Sequence, residues 1–125
     1  MGDVRKYNCT CGYSKELNVG AGLAAFNLRL INKTFPEACE KLKALINDKQ
    51  DTDYWMDNAI ISCPSCKDLM TISRLTINTK SNGSRIYLNN KCNICGCDIS
   101  VINEDDVKCP KCGKNMAFEI TGNWD

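Results

Sequence analysis

Cys92-Asn93-Ile94-Cys95-Gly96 and, thirteen residues on, Cys109-Pro110-Lys111-Cys112-Gly113 are the stretch from which the fold of this chain is read. Two thiolates three residues apart reach one ion from a tight turn. Pro after the first Cys presets φ, and Gly after the second admits a left-handed backbone. Amide N–H groups in such a turn point at the sulfurs and offset their charge. One turn of this kind, a knuckle, supplies two ligands, whereas tetrahedral zinc wants four, so knuckles must pair.

Outward from that stretch lie two more knuckles, Cys9-Thr10-Cys11-Gly12 and Cys63-Pro64-Ser65-Cys66. Pairing in sequence order puts Cys9, Cys11, Cys63 and Cys66 on a first ion and Cys92, Cys95, Cys109 and Cys112 on a second. The first pair is separated by a 51-residue insertion. A redox reading of Cys63-Pro64-Ser65-Cys66 would need it to open a helix in a βαβ unit, but it lies between two strand-like runs. Two cysteines are left over. Cys39 falls on an expected helix and reads as a buried thiol. Cys97 follows the Cys95-Gly96 turn and reads as a thiol packed beside the site, with replacement of Cys95 or Cys92 as the alternative.

The 125 residues make one ordinary domain or two small ones that lean on metal. Histidine is absent, which excludes a Ser-His-Asp triad, a Cys-His nucleophile pair and His-ligated zinc or haem. No general base constellation is visible and both sites are saturated by thiolate, so the expectation is a protein that is not an enzyme. No apolar run reaches the ~18 residues of a membrane span. The first residues carry no apolar signal region, and Lys6 stands where a myristoylation pattern needs Ser or Thr. A cytoplasmic protein is expected, where dense cysteine means metal or redox chemistry rather than disulfides.

The four knuckles resemble the zinc-ribbon superfamily in tandem. Cys92-x2-Cys95-Gly96, Cys109-Pro110-x-Cys112-Gly113 and Phe118-Glu119 also resemble rubredoxin, which implies redox-active iron as the alternative metal at the second site. Unlike rubredoxin's, the loop between these two knuckles carries no aromatic residue. Tyr7-x-Cys9-x-Cys11-Gly12-Tyr13, then Gly20-Ala21-Gly22-Leu23 and Cys63-Pro64-x-Cys66, is similar to a group of uncharacterised bacterial zinc-ribbon proteins. Zinc ribbons serve many machines, so the resemblance speaks to fold rather than function.

The expected fold is a small α+β protein. It has two antiparallel four-cysteine ribbons, at 1–78 and 79–125, holding two Zn2+, with a two-helix insertion at about 20–58 in the first. Leu23, Phe26 and Leu30 mark the first helix. Gly20-x-Gly22 lacks the third Gly and the Lys-Ser/Thr of a phosphate loop. Thr34-Phe35-Pro36-Glu37 fits a capping box opening the second helix, whose apolar face is Phe35, Ala38, Cys39, Leu42, Leu45 and Ile46. Asn47-Asp48-Lys49-Gln50-Asp51 ends it. Tyr54-Trp55-Met56 reads as a plug between helices and ribbon, or as a partner patch. Strands are expected at Ala59–Ser62, Leu69–Thr79, Arg85–Asn90, Asp98–Ile102 and Met116–Thr121. Asn82-Gly83 marks a hairpin expected to join the two metal sites.

Sixteen basic and fifteen acidic residues give +1, but eight thiolates and two divalent ions take the metal-loaded chain to −3. Such a chain is no general polyanion binder. Its basic character is local: Lys67, Arg74, Lys80, Arg85 and Lys91 against Asp68 alone. With Tyr87 these residues are the candidate nucleic-acid surface, for an accessory role in transcription or replication. A solvated strand face is the plain alternative. Glu104-Asp105-Asp106 reads as a polar turn, because no basic residue immediately precedes it as in zinc-ribbon transcript-cleavage factors. The leading function is a non-catalytic binding or adaptor module for a protein partner or nucleic acid, with no membrane and no small-molecule substrate.

Overall fold

The structure, a computed structural model, describes residues 2–22, 26–47, 51–81, 83–88 and 91–124. Six strands and two helices follow in the order β1 (Gly2–Asn8), β2 (Ser14–Val19), α1 (Leu28–Thr34), α2 (Pro36–Asn47), β3 (Thr52–Cys63), β4 (Asp68–Thr79), β5 (Gly83–Leu88) and β6 (Ala117–Trp124). They form two antiparallel three-stranded sheets, ordered β2-β1-β6 and β3-β4-β5.

The topology is nested. β1 pairs with β2 through the Cys9–Cys11 turn and with β6 on its other edge, with Asn8 opposite both Ser14 and Ala117. Everything from β3 to β5 lies between those partners in sequence. The boundary expected between residues 78 and 79 falls inside β4, one residue before its end.

β3 and β4 are longer than their apolar runs foretell. β3 begins at Thr52, so Tyr54-Trp55-Met56 is strand, and Tyr54 and Met56 are the side chains that seat the helices on the ribbon. Alternation then gives the β3-β4 ribbon two faces. Tyr54, Met56, Leu75 and Ile77 point to one side and pack with Ile31, Ala38, Cys39 and Leu42 of the helices. Ile60 and Leu69, further along that side, meet Tyr7, Leu17, Val19, Val107 and Met116 of the first sheet. On the opposite face Ile61, Cys63 and Ile72 are covered by Cys92 and Ile99. One of the three clusters therefore joins both sheets. Backbone bonds also tie them: Gly20 and Asn58 exchange N–H···O bonds of 3.2 and 2.8 Å, and Ile102 N donates to Ile60 O at 3.0 Å.

The helices differ from expectation at their starts. Leu23 lies outside the described residues. α1 starts after Asn27, whose Oδ1 accepts from the N–H groups of Arg29 and Leu30, a normal N-cap. Phe26 is 64% exposed and Leu30 37%, so the inward residue of α1 is Ile31. The capping box does not form. Thr34 belongs to α1 and its Oγ1 donates back to Leu30 O at 2.9 Å. Pro36 instead opens α2 at the position where its missing N–H costs nothing. Ala38, Cys39 and Leu42 face inward as expected, whereas Ile46 is exposed. Residues 48–50 lie outside the described residues.

The β4–β5 hairpin is present, with Thr79 opposite Gly83 at φ 74°. Asn82, Asn89 and Asn90 lie outside the described residues. The strand expected at Asp98–Ile102 is reduced to isolated bridges, Lys91 with Asp98 and Ile61 with Val101.

Candidate metal centres

The first, third and fourth knuckles are built by the same two backbone bonds, and the second shows one of them, Lys67 N to Cys63 O at 2.8 Å. In the third, Gly96 N donates to Cys92 O at 3.0 Å and Cys92 N to Cys97 O at 2.8 Å. In the fourth, Gly113 N donates to Cys109 O at 2.9 Å and Cys109 N to Lys114 O at 2.8 Å. The turn needs a left-handed residue after the second cysteine, and Gly96 and Gly113 supply it at φ 75° and 78°. Lys67 fills the same place after Cys66 at φ 51°, the sole non-glycine with positive φ among the described residues. The first knuckle is one residue shorter and turns on Gly12 at φ 100°. As expected, amides aim at sulfur: Cys66 N at Cys63 Sγ, Ile94 N at Cys92 Sγ and Lys111 N at Cys109 Sγ, each 3.4 Å.

The eight predicted ligands gather into two groups, but not in sequence order. Cys9, Cys11, Cys109 and Cys112 form one; Cys63, Cys66, Cys92 and Cys95 form the other. This corrects the pairing of Cys9/Cys11 with Cys63/Cys66 and of Cys92/Cys95 with Cys109/Cys112. The reason is strand pairing. β6 lies against β1, so the knuckle preceding β6 reaches the β1–β2 turn. The β4–β5 hairpin returns the chain to where it left, so Cys92 meets the β3–β4 turn. That hairpin joins two knuckles of one centre, not two centres.

All ligand atoms within a group lie within 4.8 Å of one another. Sulfur–sulfur separations include Cys9–Cys112 at 3.3 Å, Cys11–Cys109 at 3.7 Å, Cys63–Cys95 at 3.4 Å and Cys66–Cys92 at 3.8 Å. A tetrahedral ion with bonds of ~2.3 Å sets its sulfurs about 3.8 Å apart, so both groups fit a four-thiolate ion. All ten cysteines are free thiols. Electrostatics agrees. The Cys11 N–H, with the neighbouring thiols, holds Cys9 down at about 6. The N–H groups of Cys95 and Ile94 do the same for Cys92, also at about 6. In Cys112 and Cys95 a backbone N–H, at Lys114 and Cys97, pulls downward, but crowding by neighbouring thiols prevails and both are raised. Four such sulfurs ionise together only around a cation.

Several groups support the centres that the sequence reading missed. Tyr13 OH donates to Asp68 Oδ1 and accepts from Leu69 N at 3.1 Å, while Lys15 Nζ pairs with Asp68 at 3.2 Å. Tyr13 follows the first knuckle and Asp68 the second, so this latch joins the two centres. Arg5 is buried and lies 4.5 Å over the Phe118 ring. It donates to Asp105 at 3.1 Å and to Glu104 O at 3.3 Å, and Tyr7 OH donates to the same carbonyl at 2.8 Å. The acidic turn is thus held to β1. No sequence signal marked Arg5, because a buried arginine on a strand looks like any surface one.

The six candidate nucleic-acid residues are dispersed. Arg74 makes a two-point pair with Asp57, at 3.0 and 2.7 Å. Lys80 pairs with Asp51 and Lys91 with Asp98. Arg85 and Tyr87 stand opposite Ile77 and Leu75 on the helix side of the sheet, whereas Arg74 faces the other way. Lys67 is exposed in its turn. Cys39 is fully buried, its Sγ 3.7 Å from Leu28 O.

No protein-family model, curated protein or solved structure matches the chain. Among the described residues no helix is long and apolar enough to cross a membrane.

Proposed function

We propose that this chain is a zinc-stabilised, non-catalytic binding module of the reducing cytoplasm. The carrying observation is the pair of four-sulfur groups. Four thiolates saturate a tetrahedral ion, leaving no position for an activated water. Zinc at each centre supplies folding free energy, on the order of 10 kcal/mol per site, which a two-sheet domain with small separate clusters needs.

A protein is the favoured partner. Support comes from Phe26, which is 64% exposed and meets Tyr54 edge-on at 6.1 Å. Phe26, Tyr54 and Trp55 line one shallow groove with Thr52 and Asp53. Aromatic groups at such a rim are the usual anchors of protein interfaces. One observation supports local nucleic-acid contact instead: Lys41, Arg85 and Tyr87 line a cavity of about 330 Å³ between α2 and β5.

Metal analysis of the purified protein should give two zinc ions per chain and a colourless solution. Red colour with thiolate charge-transfer absorption would replace zinc by iron, since both accept four thiolates. Binding to single-stranded nucleic acid that falls steeply with salt, and is lost in Arg85→Glu, would replace the protein partner. A Phe26→Ala/Trp55→Ala variant that still captures the wild-type's protein partner would remove the groove from the account.

A further inference from the structure

The two centres share one architecture but not one sulfur count. In the knuckle frame, the residue whose carbonyl accepts the N–H of the first cysteine is Lys114 in one centre and Cys97 in the other. Cys97 is therefore held by its backbone against the very turn that carries Cys92 and Cys95. Its thiol reaches across to the opposing knuckle, 2.9 Å from Ser65 Oγ. Ser65 sits between Cys63 and Cys66. The four sulfurs that lie within 4.8 Å of one another do not include Cys97 Sγ, so the Cys97 thiol stands beside that set rather than in it. Cys95 is exposed, so its sulfur has room to leave.

We propose that Cys97 is a reserve ligand: the second centre has two four-thiolate sets, Cys63, Cys66 and Cys92 with either Cys95 or Cys97. The exchange is redox-neutral. The bond from the ion to Cys95 breaks as the bond to Cys97 forms, and the proton that Cys97 gives up passes to the departing Cys95 sulfur. The first centre has no fifth cysteine thiol among the described residues, and so serves as an internal control.

This inference rests on the four-thiolate reading of both centres, which fails separately if wild-type protein binds no metal. The experiment compares cobalt-loaded wild type, Cys95→Ser, Cys97→Ser, Cys95→Ser/Cys97→Ser and Cys112→Ser, read by cobalt stoichiometry, thiolate-to-cobalt absorption and chelator competition. Cys97→Ser keeps two ions. Cys95→Ser keeps two with four-thiolate spectra and affinity within about tenfold of wild type. Cys95→Ser/Cys97→Ser and Cys112→Ser each weaken one site by more than about 100-fold, more than the loss of a supporting group costs. A Cys95→Ser site as weak as the double variant, or with a three-thiolate spectrum, overturns the proposal. Wild-type protein gives a second test that needs no refolding. After limiting alkylation, native mass spectrometry should find chains modified at Cys95 alone that retain both ions. If every chain modified at Cys95 has lost an ion, Cys97 is a bystander.

Discussion

Tyr13→Phe removes one hydroxyl and tests whether the two centres are mechanically joined. That hydroxyl donates to Asp68 and accepts from Leu69 N at 3.1 Å. A hydrogen bond to a charged group contributes about 1.5–3 kcal/mol, and leaving the Leu69 donor unpaired adds a further cost. The expected loss is therefore roughly 2 kcal/mol. Burial, then the hydrogen bond to Asp68, push the Tyr13 phenol from 10 up to about 12, so the phenolate is disfavoured in the folded chain. The sign follows from the raised pKa. The contribution is complete below pH 10 and is lost as pH climbs from 10 towards 12. The assay is denaturant unfolding of zinc-loaded wild type and Tyr13→Phe at neutral pH and near pH 11. The variant should be about 2 kcal/mol less stable at neutral pH, and the gap should narrow by about 1 kcal/mol at the alkaline pH. Equal stability at neutral pH, or a gap that does not depend on pH, would refute the latch.

Other changes test the turns and the helix seat. Lys67→Gly relieves a left-handed lysine and should be neutral or stabilising by up to about 1 kcal/mol, whereas Gly113→Ala, at φ 78°, should cost about 1–2 kcal/mol. Thermal unfolding of the two variants side by side reads the opposite signs. Leu75→Ala empties a fully buried position beneath the helices and should cost about 2–5 kcal/mol while zinc stoichiometry stays at two.

How much of this was legible in the chain depends on which interaction decides each feature. Knuckles are local, so Cys92–Gly96 and Cys109–Gly113 declared their turn, left-handed glycine and N–H···S bonds in five residues each. The eight cysteines of the two groups were legible for the same reason. Which knuckles meet is a matter of long-range strand pairing, and spacing along the chain is a poor guide to it. One signal was present. If Thr79 opposes Gly83, continuing the same register sets Met70 opposite Cys92, and Cys92 Sγ does lie 3.9 Å from Met70 Sδ. The hairpin alone thus placed the third knuckle beside the second. The β1–β6 pairing had no comparable mark, since β6 is exposed along almost all of its length and shows no buried face. The length of β3 was hidden because Asp53, Asp57 and Asn58 looked like loop, while in the fold Asp57 is neutralised across the ribbon by Arg74. The basic hairpin misled similarly. Its charge is real, but aspartates on neighbouring segments take up Arg74, Lys80 and Lys91.

The nested assignment of the eight thiolates is tested most directly by counting ions in two quadruple cysteine-to-serine variants by native mass spectrometry. With Cys9, Cys11, Cys109 and Cys112 replaced, one whole group is removed and the other is untouched, so one zinc per chain should remain. With Cys9, Cys11, Cys63 and Cys66 replaced, both groups lose half their ligands and no tightly held zinc should remain. The reverse result, none in the first variant and one in the second, would restore pairing in sequence order and contradict the structure.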